Sequence, residues 1–134
     1  MSYTRLRYHF VTSTKYRDDL LRPEVEPTVD RAFRAAADEL NSRVLRVGAA
    51  DDHVHWIAAV HPSVAVADFV RDLKTESSKE IKRVHGELAE FCWQRGYGGL
   101  TLYPGDLELA LHYVSHQREH HAGGDIWDHF ERAS

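Results

Sequence analysis

The sequence contains a single cysteine, Cys92, among its 134 residues. No disulfide can form within the chain, so we predict a protein of the reducing cytoplasm. Cys92 lies between Phe91 and Trp93, which favours a buried thiol that fills the core over a reactive nucleophile. No apolar run approaches the length that spans a bilayer, and the first residues lack the apolar core of a signal peptide. The sequence thus predicts neither a membrane protein nor a secreted one.

An excess of positive charge is also missing, because the formal net charge is −4 with histidine neutral. This balance counts against a protein that binds nucleic acid over its whole surface. The charge is uneven, however: basic residues outnumber acidic ones over 1–22, and acidic residues prevail over 104–134. A basic first segment is compatible with a local anion site. The length and the 43% of hydrophobic residues suit one domain over 1–134, with an acidic tail at 125–134.

Histidine, in contrast, is abundant, with ten residues. His53 and His55 stand one residue apart within an apolar run. Residues two apart on a β-strand project from the same face, so both imidazoles would leave one side of the sheet while Val54 and Trp56 enter the core. Two neighbouring imidazoles on a rigid strand form half of a metal site. A solvated strand surface produces the same pattern, so the pair by itself leaves both interpretations open.

The spacing of apolar residues predicts the other elements. Alternation predicts strands over 3–14, 42–50, 53–61 and 100–103, and helical periodicity predicts helices over 23–41, 63–85 and 107–121. Asp51 and Asp52 predict a tight turn that makes the second and third strands an antiparallel hairpin, and Gly48 suggests a bulge. This order predicts an α+β fold, a ferredoxin-like sandwich with helices on one face of an antiparallel sheet and the other face open.

The last predicted helix carries a second group of polar residues. Tyr113 and Gln117 are four residues apart and share one face, while a neighbouring stripe consists of His112, His116 and His120. An amphipathic helix with a histidine-rich polar side explains this pattern without any site. Alternatively, one stripe faces the two strand histidines. Glutamine would then offer an oxygen to a hard cation, and tyrosine would offer a hydroxyl nucleophile.

In order and spacing, these segments resemble the single-tyrosine HUH transposases of small insertion sequences and the related REP-associated tyrosine transposases. HUH denotes two histidines around a hydrophobic residue, here His53-Val54-His55. The resemblance covers nearly the whole chain and places a tyrosine-bearing helix at its carboxyl end. Besides the histidine motif, it rests on the opening strand with its basic loop, the central helix, the entry to the last strand and the tyrosine helix, at 8–17, 63–78, 93–98 and 113–121.

The resemblance implies a metal-dependent enzyme that cuts and joins DNA strands. His53, His55 and Gln117 would hold one Mg²⁺ or Mn²⁺ ion. Tyr113 would attack a phosphodiester in single-stranded DNA, leaving a 5′-phosphotyrosine and a free 3′-hydroxyl, and a second 3′-hydroxyl would later reverse the step. The substrate would be single-stranded DNA whose ends form hairpins, and the protein would work as a homodimer. The residues expected to contact DNA are Lys15, Tyr16, Arg17 and Lys74.

Two other interpretations remain at this stage. A domesticated or decayed relative would bind hairpin nucleic acid without cutting it, as the acidic tail and the thin basic surface suggest. An unrelated histidine-rich metalloenzyme would instead use His112, His116 or His120 as ligands. The basic loop at 15–17 also has a simpler interpretation, as a solvated turn.

Overall fold

The fold is known from a computed structural model, which describes residues 4–118. The predicted acidic tail at 125–134, together with His120, lies outside the described residues. None of the helices within the described range is both long and apolar enough to cross a membrane. Strands and helices occur there in the order β1 (Arg7–Ser13), α1 (Glu26–Glu39), β2 (Arg43–Ala49), β3 (His53–Ala59), α2 (Val66–Val84), β4 (Gly98–Thr101) and α3 (Leu107–Ser115).

The four strands of the described chain form one antiparallel sheet in the order β2-β3-β1-β4. With one helix between β1 and β2 and another between β3 and β4, this is the predicted ferredoxin-like topology. The predicted hairpin of β2 and β3 is confirmed. Because β3 lies between β2 and β1, the strand that carries His53 and His55 is hydrogen-bonded on both edges and is held rigidly.

The main core lies between the sheet and the pair α1 and α2. Aromatic rings from both layers meet there: the centroid of Trp56 lies 4.4 Å from that of Phe10 and 4.8 Å from that of Phe33. Phe33 and Phe69 come from the apolar stripes of α1 and α2, as the helical periodicity predicts. Burying each such ring contributes about 1.5–3 kcal/mol, so this layer sets the orientation of β3.

The opposite face of the sheet, which we expected to be open, is covered by α3. Ile57 of β3 packs there against Ala110, Tyr113 and Val114, all of them buried. The expectation was wrong because Ile57 shares its strand face with the two histidines, so this face is partly apolar. The apolar side of α3 is long enough to cover it. This second layer brings the tyrosine helix onto the histidine face.

Gly48 does not mark a bulge, contrary to our prediction. The irregularity of β2 lies between Val44 and Arg46. A Cβ atom on Gly48 would lie only 1.7 Å from the carbonyl oxygen of Val114. Glycine is therefore required because the backbone of α3 runs directly over β2 at this point.

Cys92 is exposed, so the prediction of a buried thiol was also wrong. Its neighbours Phe91 and Trp93 are buried, and Trp93 forms an isolated bridge with Thr14. In this short extended segment, alternate side chains point to opposite sides. Cys92 accordingly points outward between two residues of the core.

Candidate active site

The two strand histidines lie side by side under α3. His53 and His55 are 1% and 0% exposed, and their ring centroids are 5.1 Å apart. Val54 and Trp56 project into the core on the other side of the sheet, as the alternation predicted. The pair is therefore a buried feature, and the interpretation as solvated surface does not apply.

Asp52 orients the ring of His53. Its Oδ1 atom lies 2.7 Å from Nδ1 of His53, and its Oδ2 atom accepts a hydrogen bond of 2.9 Å from Nε of Arg17. Partial burial raises the pKa of the Asp52 carboxyl, but the hydrogen bonds from His53 and Arg17 outweigh this effect and hold the pKa below its ordinary value. An ionised carboxylate only accepts hydrogen bonds, so Nδ1 of His53 carries a proton. In a neutral imidazole the lone pair is then on Nε2.

His9 contacts the ring of His55 in the corresponding way. Its Nε2 atom lies 2.8 Å from Nδ1 of His55, and His9 is fully buried. Sequence reasoning did not assign His9 to the site. The pairing of β1 with β3 would have revealed it. In that pairing Val11 lies opposite His55, and His9, two residues before Val11, projects from the same face of the sheet. That register follows only from the folded sheet.

Tyr113 of α3 contacts the histidine pair through His55. Its ring meets that of His55 edge-on, with centroids 5.6 Å apart and an interplanar angle of 79°, and the residue is fully buried. Tyr113 is held by the apolar contacts of α3 with the sheet. The structure thus brings together the tyrosine and the histidine pair that the sequence singled out separately.

The helix predicted over 107–121 is interrupted: α3 ends at Ser115, and the backbone of His116 is not helical. Gln117 follows this break and is 1% exposed. It lines a small cavity of about 160 Å³. Gly48 of β2 lines the same cavity, so the segment at the end of α3 packs against the sheet at this point. Tyr113 in α3 and Gln117 just beyond it, which the sequence assigned to the site, are therefore both buried.

Arg118, which we did not predict as part of the site, forms polar contacts that hold the segment after α3 in place. Its Nη1 atom lies 2.6 Å from Oδ1 of Asp51, Nη2 donates to the carbonyl of Leu21, and Nε lies 3.8 Å from Glu26. Burial raises the pKa of the Glu26 carboxyl, although a hydrogen bond from the Ala49 amide and the charge of Arg118 act against that rise. Arg118 thus ties α3 to the turn before β3.

The basic loop forms a 3₁₀ turn over Lys15–Arg17. Tyr16 and Arg17 have positive φ angles of 63° and 56°, a conformation that costs a non-glycine residue about 1–3 kcal/mol. The Tyr16 ring is 80% exposed, and the ammonium of Lys15 lies 5.4 Å from its centre. The loop therefore presents an aromatic ring and a cation to solvent, and Arg17 connects it to Asp52.

Lys74, which we also predicted to contact DNA, forms hydrogen bonds within the protein. Its Nζ atom donates to the carbonyl oxygens of Gln94 and Gly96 at 2.7 and 3.0 Å. Desolvation by burial lowers the pKa of the Lys74 ammonium, and the charge of Cys92 acts the other way. In this structure Lys74 fixes the segment before β4, and a contact with DNA stays a prediction.

His112 and His116, the described members of the histidine stripe, contact each other. Their ring centroids are 4.2 Å apart with the planes tilted by 35°, and Nδ1 of His116 lies 2.8 Å from the carbonyl oxygen of His112. His112 is exposed, on the side of the helix away from the sheet. Among residues 4–118, no three His, Cys, Asp or Glu side chains form a group that could hold a metal ion. The histidine-rich metalloenzyme therefore lacks a ligand set in the described part of the chain.

The donor set of two histidines and a glutamine suits a divalent cation. Both strand histidines have Nδ1 in a hydrogen bond to a neighbouring side chain, as metal-binding histidines commonly do. The amide oxygen of Gln117 is a donor that Mg²⁺ and Mn²⁺ accept. The side chains of His53, His55 and Gln117 thus offer the donor types that the expected metal takes.

Comparison with known proteins identifies the family of this chain. The family model described as "Transposase IS200 like" matches residues 2–117. The chain belongs to the IS200-like transposase family. The IS200 transposase of Salmonella typhimurium is 29% identical over 125 residues, which are 89% of this chain and 81% of that protein. The ISDra2 transposase TnpA of Deinococcus radiodurans is 30% identical over 89 residues, 66% of this chain and 64% of its own.

Solved structures extend the likeness of this IS200-like chain to the fold. A crystal structure from Deinococcus radiodurans R1 that carries a transposase assignment superposes with a TM-score of 0.70 at 24% identity, over 87% of this chain and 94% of the other. A REP-associated tyrosine transposase bound to a REP hairpin superposes with a TM-score of 0.65 at 14% identity, over 90% and 72%. These structures confirm the predicted fold class, while the family model confirms the predicted resemblance to the transposases of small insertion sequences.

Proposed function

We propose that this transposase cuts and rejoins single-stranded DNA, with Tyr113 as nucleophile and Mg²⁺ or Mn²⁺ held by His53, His55 and Gln117. The observation that carries the proposal is the contact of the Tyr113 ring with His55, at 5.6 Å between centroids, inside a buried site. A nucleophile next to a prepared pair of metal ligands is the arrangement that phosphoryl transfer requires. When bound, the cation would supply a Lewis acid that polarises the phosphate.

The proposed reaction consists of two steps: the first forms a bond between Tyr113 and the DNA, and the second breaks it. In the first step, the phenol oxygen of Tyr113 loses its proton and bonds to phosphorus, while the bond from phosphorus to the 3′ oxygen breaks and that oxygen gains a proton. In the second step, another 3′-hydroxyl loses its proton and bonds to phosphorus, while the bond from phosphorus to the Tyr113 oxygen breaks and that oxygen regains a proton. A phenol is more acidic than an alkyl alcohol, so it is the better leaving group. The covalent intermediate conserves the bond energy that rejoining needs.

Access to the nucleophile requires α3 to move. Tyr113 is fully buried, so a DNA phosphate reaches its oxygen only when α3 separates from the sheet. A helix that separates can return to its own subunit or complete the site of a second copy. Our proposal therefore includes the homodimer that the family resemblance implies, with the tyrosine helix as the exchanged element.

The proposed substrate is a single strand that folds into a hairpin. The exposed ring of Tyr16 offers a face on which a base can stack, and Lys15 and Arg17 offer positive charge to the phosphates. A tyrosine transposase of the same fold is bound to a REP hairpin, which supports this class of substrate. Lys74 would join the contact only after it leaves the two carbonyl groups that it now binds.

The test is incubation with labelled hairpin oligonucleotides and Mn²⁺, followed by denaturing electrophoresis. We expect a covalent protein–DNA adduct with the natural chain and none with Tyr113→Phe. Tyr103→Phe is the matched control, because Tyr103 is 78% exposed and precedes α3. An adduct that persists in Tyr113→Phe would refute the assignment of the nucleophile.

A protein that binds hairpins without cutting them is the second candidate. The burial of Tyr113 and the net charge of −4 favour it. Such a protein would shift labelled hairpin DNA in a native gel and would give no adduct with Mn²⁺ or Mg²⁺. The same oligonucleotides in the two gels therefore separate the two candidates.

A further inference from the structure

We propose that His9 is a positioning residue that fixes the tautomer of His55, so that His55 presents Nε2 to the divalent cation. The proposal rests on the proposed function. His9 and His55 are both fully buried, with Nε2 of His9 2.8 Å from Nδ1 of His55. Their ring centroids are 4.9 Å apart. This short contact belongs to two inner strands of the sheet, so the backbone holds both rings in place.

The direction of this hydrogen bond decides what His55 can bind. Between two neutral imidazoles only one of the facing nitrogens carries a proton. If Nδ1 of His55 donates and Nε2 of His9 accepts, the lone pair of His55 is on Nε2 and can bind a cation. If His9 donates instead, Nε2 of His55 carries the proton and cannot be a ligand. We assign the first direction, with the proton of His9 on its Nδ1.

The neighbouring histidine supports this assignment. Nδ1 of His53 faces the carboxylate of Asp52, which can only accept, so Nδ1 is the donor in that ring, and our assignment gives His55 the same tautomer. The two acceptors differ because their surroundings differ. Asp52 lies at the turn before β3 with its side chain 25% exposed, whereas His9 is at the centre of the sheet. A carboxylate buried there would pay a large desolvation cost, and a neutral imidazole accepts the proton without it.

The first test reads the tautomer in the metal-free protein. The full chain is labelled with ¹⁵N-histidine, and the protonated nitrogen of each ring is identified from its ¹⁵N shift and its couplings to the ring protons. We expect His55 to carry its proton on Nδ1. Finding it on Nε2 would overturn the proposal.

The second test uses variants and Mn²⁺ binding followed by electron paramagnetic resonance. His9→Leu removes the acceptor and should weaken binding about tenfold or more, while His9→Gln keeps an acceptor oxygen and should stay within about threefold of the natural chain. We also expect His9→Leu to move the His55 proton partly to Nε2. Equal Mn²⁺ affinity in the natural chain and in folded His9→Leu would refute a positioning role.

A control separates this role from general damage to the fold. His85 is also a hydrogen-bonded histidine, with Nε2 2.9 Å from Oγ1 of Thr28, but it lies at the end of α2. His85→Leu should bind Mn²⁺ as the natural chain does. If His9→Leu does not fold, the tautomer of the natural chain decides the matter by itself. If the natural chain binds no Mn²⁺, the metal part of the proposed function fails, and the tautomer still decides the role of His9.

Discussion

The guanidinium of Arg118 lies 2.6 Å from the carboxylate of Asp51 and also donates to the carbonyl of Leu21. This contact joins the residue that follows Gln117 to the turn that precedes the histidine strand. It is one of the polar contacts that hold the tyrosine-bearing segment on the sheet; Arg46 of β2 donates another hydrogen bond, of 2.8 Å, to Oγ of Ser115 at the end of α3. If α3 must separate from the sheet before DNA can react, the contacts of Arg118 contribute to the free energy that this separation requires.

We expect Arg118→Ala to loosen α3 while the rest of the fold stays intact. Amide hydrogen exchange at Tyr113 and Val114 should become roughly fivefold faster, since losing these partners costs about 1 kcal/mol. Arg34→Ala is the matched control: Arg34 contacts Asp30 at 2.6 Å and donates to the carbonyl of Val44, away from α3. Unchanged exchange in α3 of Arg118→Ala would show that Arg118 does not help to hold the helix on the sheet.

Gly48→Ala should displace α3 by direct collision. The added methyl group would lie 1.7 Å from the carbonyl oxygen of Val114, a backbone atom that cannot move without the helix. We expect a loss of about 2–3 kcal/mol in the free energy of unfolding, measured by urea titration.

The control for this variant is Gly99→Ala in β4. There the nearest atom to the added carbon is a ring carbon of Phe10 at 3.4 Å, which is an ordinary contact. Its stability should change by less than about 1 kcal/mol. Equal losses in the two variants would mean that glycine matters here for strand flexibility and not for the approach of α3.

Tyr16→Gly should separate stability from DNA binding. Glycine adopts the φ of 63° without strain, so the free energy of unfolding should rise by up to about 1 kcal/mol. Hairpin affinity should fall about tenfold or more, because a stacked base on an aromatic ring contributes about 1–3 kcal/mol.

Asn41→Gly is the corresponding control, since Asn41 has a φ of 53° in the turn between α1 and β2. It should gain stability in the same way and leave hairpin affinity unchanged. If Tyr16→Gly binds the hairpin as tightly as Asn41→Gly does, the basic loop is only a solvated turn.

The ionised carboxylate of Asp52 should stabilise the fold in a pH-dependent way. The pKa of this group is lower in the folded chain than its ordinary value. Its contribution is therefore complete above that value and is lost as the pH falls through the folded pKa. Asp52→Asn should be less stable than the natural chain near neutral pH, and the difference should vanish in strong acid.

Urea titrations at a series of pH values measure this difference. Asp38→Asn, on the exposed surface of α1, is the control and should follow the natural chain throughout. A constant gap between the natural chain and Asp52→Asn down to strong acid would mean that the side chain acts through packing and not through its charge.

The sequence by itself determined the features that depend on local periodicity and residue type. Alternation put His53 and His55 on one face of β3, helical spacing identified the helices, and the order of elements gave the ferredoxin-like sandwich. Local signals failed where a short segment was ambiguous. Cys92 was expected inside because of its apolar neighbours, yet an extended backbone turned it outward between them.

Only the tertiary structure decided which residues from distant parts of the chain meet. His9 and His55 are 46 positions apart, and Leu21 and Arg118 are 97 apart. Both contacts follow from strand register and from the packing of α3 over Gly48, where backbone and side chains of separate segments must fit together. No periodicity in one segment contains that information. The sequence therefore supplied the two histidines and the tyrosine, while packing across the sheet gave them their neighbours.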